Sequence, residues 1–261
     1  MADVPISGNI FFSFFLAMNY KSKIMNDIIQ GLWIGSKLSE IERLCISSFL
    51  KNGHTFHLYT YEEIENVPEG AVLIDANSII SKDLMFLDSH STWAAFSDWF
   101  RYKLLYQNGG WWSDLDVVCV KKLNFRAQYV FASEKVNSHG EENIITTCLI
   151  KSPSGADYLK ELLAYIESSD FKDVEWGTLG PNLFNYVVQQ YASKKYIKSP
   201  NLFCPISWYE TDLLFSAQPD YDIEKSFTVH LWNEIWRRKG IDKNAQYDSL
   251  CVLEKLKSRY L

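Results

Sequence analysis

The feature that most constrains this chain is an alternation of strand-like and helix-like segments that begins at Ile28. Residues 28–34 (IIQGLWI) are apolar and β-branched and stop at Gly35, as a buried strand does. Ser39 opens a helical pattern carrying Ile41, Leu44, Cys45, Ser48 and Phe49; Ser39 with Glu42 fits a capping box, and Asn52-Gly53 stops the segment. Residues 55–59 alternate as a second strand, and 61–67 read as a short acidic helix ended by Pro68. Residues 93–108 put Trp93, Phe96, Phe100, Leu104 and Leu105 on one helical face, with Gly109-Gly110 as terminator. Further strands are expected at 117–120, 131–134, 146–151 and 227–231, and further helices at 156–167, 182–191 and 248–260. Such alternation predicts an α/β fold with a mixed, mostly parallel central sheet flanked by helices. Ligands of such sheets bind beyond the carboxyl ends of the strands.

The 261 residues can bury one large core, and no repeat or low-complexity linker divides them. A single domain over 27–261 is expected, after an N-terminal extension over 1–26. Residues 10–18 (IFFSFFLAM) are too short to span a bilayer and follow Asp3 rather than a basic segment. A packed N-terminal element is expected there, with peripheral membrane contact or the remnant of a longer anchor as alternatives. The net charge of -6 argues against nucleic acid as a partner, because a duplex binder needs a basic face. The basic clusters Lys194-Lys195, Arg237-Arg238-Lys239 and Lys255, Lys257 and Arg259 read as solvated surface; the last has contact with anionic lipid as its alternative. Cys45, Cys119, Cys148, Cys204 and Cys251 are odd in number, widely spaced and without a C-x-x-C pair. Reduced core thiols and a cytoplasmic protein, with peripheral attachment at the inner membrane face as an option, are the expectation.

The chemistry-bearing segment is 94–118, AAFSDWFRYKLLYQNGGWWSDLDVV. Asp114 and Asp116, one residue apart at a loop-to-strand junction, can face one cation, and hard oxygen ligands suit Mn2+ or Mg2+. Such an ion bridges the phosphates of a nucleotide diphosphate and neutralises charge as a group departs. Asp98 and Arg101 are three apart on a helix and share a face, where one can grip sugar hydroxyls and the other phosphate. The bland alternative is a surface Asp–Arg pair and a turn that merely uses Asp. Asp114 and Asp116 lie too close along the chain to flank a glycosidic bond from opposite faces, which weighs against a hydrolase. No dense His/Asp cluster points to a two-metal phosphohydrolase.

This segment resembles the DXD-containing sugar-binding region of the family 32 glycosyltransferases, which include mannosyl-, α-1,4-galactosyl- and capsule or lipopolysaccharide transferases. It is also similar to the donor core of the clostridial glucosylating toxins. Weaker matches lie at residues 29–35, at Gly180-Pro181 and at His230-Leu231-Trp232. The resemblance implies a GT-A fold, retaining transfer of a sugar from a nucleotide-diphosphate sugar, and a divalent metal. It assigns Asp114 to the ribose or sugar and Asp116 to the metal. It takes Ser97, Asp98 and Arg101 from the S-D-x-x-R-Y pattern to the donor, and Leu32, Trp33 and Ile34 to the base pocket. Tyr59 is a candidate to stack on the base, and equally an ordinary cross-strand aromatic. Trp111-Trp112 departs from the commoner Ile/Val-Tyr of the family.

His230 is a third candidate metal ligand, set against a histidine that only bonds the backbone. Trp232, Asn233 and Trp236 are candidates for a lid over the donor. Glu141, Glu142 and Asn143, and Trp176 and Gly180 in the loop WGTLGPN, are candidates for the donor sugar or acceptor. Asn182 alternatively caps the following helix. His54, His57, His90 and His139 lack a partner pattern. The expected donor is a UDP-sugar (UDP-galactose, UDP-glucose or UDP-N-acetylglucosamine), with GDP-mannose second. The expected acceptor is a surface glycan, as in polysaccharide biosynthesis. A non-catalytic sugar-nucleotide-binding module is the competing class.

Overall fold

A computed structural model describes residues 28–138, 143–168, 174–191, 194–217 and 222–261. The expectations for the N-terminal extension and for His139, Glu141 and Glu142 lie outside the described residues. In chain order the elements that position the site are β1 (Ile28–Trp33), α1 (Glu40–Lys51), β2 (Thr55–Thr60), β3 (Val72–Asp75), α2 (Ala94–Asn108), β4 (Gly110–Ser113), β5 (Val117–Cys119), β6 (Val130–Lys135) and β7 (Asn143–Ser152). They continue with α3 (Asp157–Glu167), α4 (Leu183–Tyr191), α5 (Pro200–Phe203), β8 (Thr228–His230), α6 (Asn233–Lys239) and α7 (Val252–Tyr260).

Six strands form one sheet in the order β3-β2-β1-β4-β7-β6. β3, β2, β1 and β4 run parallel; β7 runs against β4 and β6 against β7, so β7 alone opposes the common direction. This is the mixed, mostly parallel sheet expected from the alternation of elements. β5 and β8 pair separately and antiparallel, with Val117 opposite His230. That short ribbon carries the late chain to the aspartates.

Helices cover both faces. Successive strand residues point to opposite sides, and the tandem Trp111 and Trp112 show it. Trp112 joins the core under α2, α3 and α4 with Phe96, Phe100, Leu159 and Phe184. Trp111 joins the core under α1 with Ile29, Ile46, Phe49 and Phe56. A third cluster packs α1 (Ile41, Leu44, Cys45) against Val118, Val229, Trp236 and the α7 residues Val252, Leu253 and Leu256. The tandem tryptophans thus sit inside the sheet, one indole on each side.

Local rules account for the element ends. Ser39 caps α1 and Glu42 returns the bond to the Ser39 N–H at 2.8 Å, which completes the anticipated capping box. Gly109 ends α2 with φ +65°, and a Cβ there would stand 2.6 Å from the Ser154 backbone nitrogen. Both facts require glycine.

Four expectations are corrected. Residues 61–67 are not a helix: the Leu38 and Glu65 N–H groups bond the Glu65 and Ser36 carbonyls, so this backbone pairs sideways with the loop after β1. Asn66 also adopts φ +65°. Asn182 is not a helix cap but closes a wide turn through its N–H to the Gly177 carbonyl at 3.4 Å. Lys257 is not solvated surface: it is 6% exposed and held by Glu40 and Glu254 at 2.7 and 3.0 Å. Trp236 is fully buried in the third cluster and so is core rather than lid. Among the described residues no helix is long and apolar enough to cross a membrane.

Candidate active site

A cleft of about 790 Å3 opens beyond the ends of β1 and β4. It collects Leu32, Trp33, Ile34, Ser97, Asp98, Arg101, Asp114, Asp116, Trp176, His230 and Trp232 from the expected set. The far-apart segments of the sequence therefore meet in one place.

Arg101 is the hub. It projects from α2, is 4% exposed, and reaches Asp98 at 3.1 Å and Asp114 at 3.0 Å. The same guanidinium donates to the Thr147 carbonyl at 2.9 Å and lies 5.0 Å from the Trp112 ring centroid. Trp112 Nε1 donates to Asp114 Oδ1 at 2.7 Å. Asp114 Oδ1 is thus held by two donors. This arrangement is not the surface ion pair of the bland alternative, because all three charged groups are largely enclosed.

Asp116 is fixed from the late chain. Its Oδ2 accepts the Asn233 N–H at 2.9 Å, and its Oδ1 lies 3.2 Å from His230 Nε2. Trp232 makes this possible by adopting φ 62° and ψ 50°, a left-handed conformation costly for a bulky residue. Its indole donates to the Ile206 carbonyl at 2.9 Å and its ring lies 3.8 Å from the His230 ring. The left-handed turn aims the start of α6 at Asp116.

The electrostatics follow from burial and these pairs. Burial pushes the Asp98 carboxyl up to about 7 against the pull of Arg101. Burial likewise raises Asp114, opposed by Arg101. For Asp116, burial is outweighed by His230, which holds the carboxyl below its ordinary range. Burial alone would lower the His230 imidazole, but Asp116 and then Cys148 hold it well above its ordinary value.

The donor set fits a divalent ion. One ligating atom each from Asp114, Asp116 and His230 lie within 4.8 Å of one another. Two carboxylates and an imidazole suit Mn2+ or a similar cation. His230 Nδ1 is buried and bonds no backbone group, so the ring is not consumed by the backbone.

Other expected residues fall outside the cleft lining. Tyr59 is 3% exposed, packs edge-on to Phe100 at 5.7 Å, and its hydroxyl meets Gln30 and Asn108. The structure places it in the core rather than at the base pocket. Asn143 is exposed at the start of β7, while Ile144 and Thr146 of that strand line the wall. Gly180 is buried behind the wall, and a Cβ on it would stand 2.5 Å from Asp98 Oδ2. Trp176, by contrast, does line the cleft, stacked beside His90 with Arg238 4.8 Å from its ring centroid.

Sequence reasoning missed several lining residues. Glu42, read only as a capping residue, is fully buried at the cleft, where Lys243 bonds it at 2.6 Å and Asn233 Nδ2 at 3.4 Å. Glu134 lines the wall, with burial raising its carboxyl. Arg237 and Arg238 are exposed, as expected of solvated surface, and in addition line the rim and pair with Glu234, each at 2.8 Å. Basic residues one turn after a candidate lid were the available signal.

Fold and site together define an α/β protein with a carboxylate-rich, cation-competent cleft beyond its parallel strands. Residues 39–136 match the family model described as glycosyltransferase sugar-binding region containing DXD motif. Residues 154–259 match that described as alpha 1,4-glycosyltransferase conserved region. Two separate stretches of the chain are thus similar to glycosyltransferase regions, the first of them the one that contains the DXD motif. No curated protein matches the sequence. Similar solved structures include PaToxG glycosyltransferase, at TM-score 0.46 and 15% identity over 69% of this chain and 79% of that one. Another, titled a transferase, has TM-score 0.41 and 9% identity over 67% of this chain and 90% of that one.

Proposed function

We propose that this protein is a metal-dependent, retaining hexosyltransferase. In this reading it moves a sugar from a UDP-sugar (UDP-galactose, UDP-glucose or UDP-N-acetylglucosamine) to a hydroxyl of a surface glycan. The observation that carries the reading is the convergence of Asp114, Asp116 and His230 within 4.8 Å, in the same cleft as the Asp98–Arg101 pair. Residues 27–261 act as one catalytic domain.

Each side chain then has a role. Asp116 and His230 would hold the ion, with help from Asp114. When bound, a divalent cation neutralises charge on the departing diphosphate. Arg101, fixed by Asp98, Asp114 and Thr147, adds a preorganised positive charge beside the phosphates. Asp98 accepts from a donor hydroxyl, and Asp114 orients ribose or sugar through its free oxygen. Leu32, Trp33 and Ile34 wall the base, and Trp176 and the Arg237–Arg238 rim face the acceptor side. Retention is explained by attack of the acceptor on the face the phosphate leaves, with a phosphate oxygen taking the acceptor's proton. The C–O bond to phosphate breaks as the new glycosidic C–O bond forms.

The test is a panel of UDP- and GDP-sugars with Mn2+, read by donor hydrolysis and thermal shift. A UDP-sugar is expected to respond, and Asp116→Asn to abolish metal-stimulated turnover. No response from any nucleotide sugar would overturn the proposal, and a response to GDP-mannose alone would replace the donor. Product anomer by NMR decides stereochemistry, and an inverted anomer would remove the same-face mechanism.

A further inference from the structure

Two thiols that the transfer does not use adjoin His230. Cys148 in β7 and Cys204 just after α5 place their sulfurs 3.8 Å apart, both free and 2% and 1% exposed. These sulfurs and a ring nitrogen of His230 all lie within 4.8 Å of one another. His230 is itself 7% exposed; its Nε2 faces Asp116 at 3.2 Å, while its Nδ1 is buried and bonds no backbone group, and the ring contacts the Cys148 thiol. Three separate elements thus bring together two sulfurs and an imidazole nitrogen that no backbone group occupies.

The spacing is informative. Two thiolates on one tetrahedral zinc, each about 2.3 Å from the ion, stand about 3.8 Å apart. The sulfurs already have that separation. Thiolate and imidazole are also the ligand types that favour Zn2+ over the hard cations suited to carboxylates. Cys148 and His230 both line the cleft, which supplies a route from solvent and room for water as a fourth ligand.

We propose that Cys148, Cys204 and His230 form a second metal site, which takes Zn2+ through two thiolates and the Nδ1 lone pair. Two Zn–S bonds and one Zn–N bond form as both thiol protons and the Nδ1 proton of the charged imidazole leave to solvent; nothing is oxidised. Zinc on Nδ1 leaves the ring proton on Nε2, where it donates to Asp116 and cannot ligate an ion there. Zinc at the sulfurs therefore weakens the hard-ion site at Asp114 and Asp116. That antagonism rests on the donor-site reading above, whereas the sulfur site does not.

Co2+ added to the fully reduced, full-length chain is the probe. One equivalent is expected to produce a sulfur-to-cobalt charge-transfer band with tetrahedral visible bands, bleached by Zn2+. The band should survive in Asp116→Asn and in Cys45→Ser, and be lost or at least halved in Cys204→Ser. In wild type, one equivalent of Zn2+ should protect two thiols from alkylation, mapped by mass spectrometry to Cys148 and Cys204; this arm stands if the serine variant fails to fold. Absence of the band in folded wild type, or a band unaltered in folded Cys204→Ser, overturns the site. Mn2+ affinity, read by electron paramagnetic resonance, should fall about tenfold or more with zinc present. Unchanged Mn2+ affinity beside an intact cobalt–sulfur band overturns the antagonism alone.

Discussion

Asp98 illustrates how much one side chain here depends on what is missing from another. Gly180 leaves the space its carboxylate occupies, since a Cβ would come within 2.5 Å of Oδ2. Gly180→Ala is therefore expected to displace Asp98 from Arg101 and to lower stability as well. A misplacement of about 1 Å near the reacting groups costs on the order of a hundredfold in rate, and kcat/KM with the responding donor checks it. Asp98 also sets a pH dependence. Its proton leaves near 3.8 in the unfolded chain but is kept to about 7 in the fold, mainly through burial. Between those values the folded state binds more protons, so its contribution to stability is full below about 3.8 and is lost as pH rises through about 7. Asp98→Asn should flatten the fall in stability between roughly pH 5 and 8, measured by urea unfolding. Neither property was legible in the sequence, because the contact with Gly180 joins residues far apart in the chain.

Elements were more legible than residues, and the reasons differ by element. α1 was readable because Ser39 and Glu42 satisfy its first N–H groups locally; Ser39→Ala should cost about 1 kcal/mol, seen as a lowered denaturant midpoint. α2 was readable because its apolar face and its Gly109 terminator are written within one segment. Residues 61–67 were misread because their backbone partners belong to the loop after β1, which no local pattern reveals. β4 was also missed: its tandem tryptophans are buried on opposite faces, so it shows no alternation of apolar and polar residues. Trp111→Ala should open a cavity between the sheet and α1 and cost about 3–5 kcal/mol in equilibrium unfolding.

At the scale of the whole molecule, the candidate site was legible in its parts and not in its assembly. The aspartates, the Asp98–Arg101 spacing and His230 could be picked out from residue type and context. Glu42 could not, because its capping bond hides a second task. It joins the start of α1 to Lys243 and Asn233, and so ties the early sheet to the late chain. Glu42→Ala should lower both thermal stability and Mn2+ affinity, whereas a purely capping role would move stability alone; calorimetry and metal titration separate the two. The Mn2+ affinity should also fall as pH is lowered, since the ion competes with the proton shared by His230 and Asp116.

The pairing of β5 with β8 carries a consequence for biosynthesis. Asp116 leaves the ribosome long before Asn233, which lies 117 residues further along and completes its carboxylate's contacts. Chains are made from the N-terminus and early segments begin to fold first. A nascent chain holding the full DXD segment therefore lacks its histidine and its left-handed Trp232 turn, and cannot yet bring Asp114, Asp116 and His230 together.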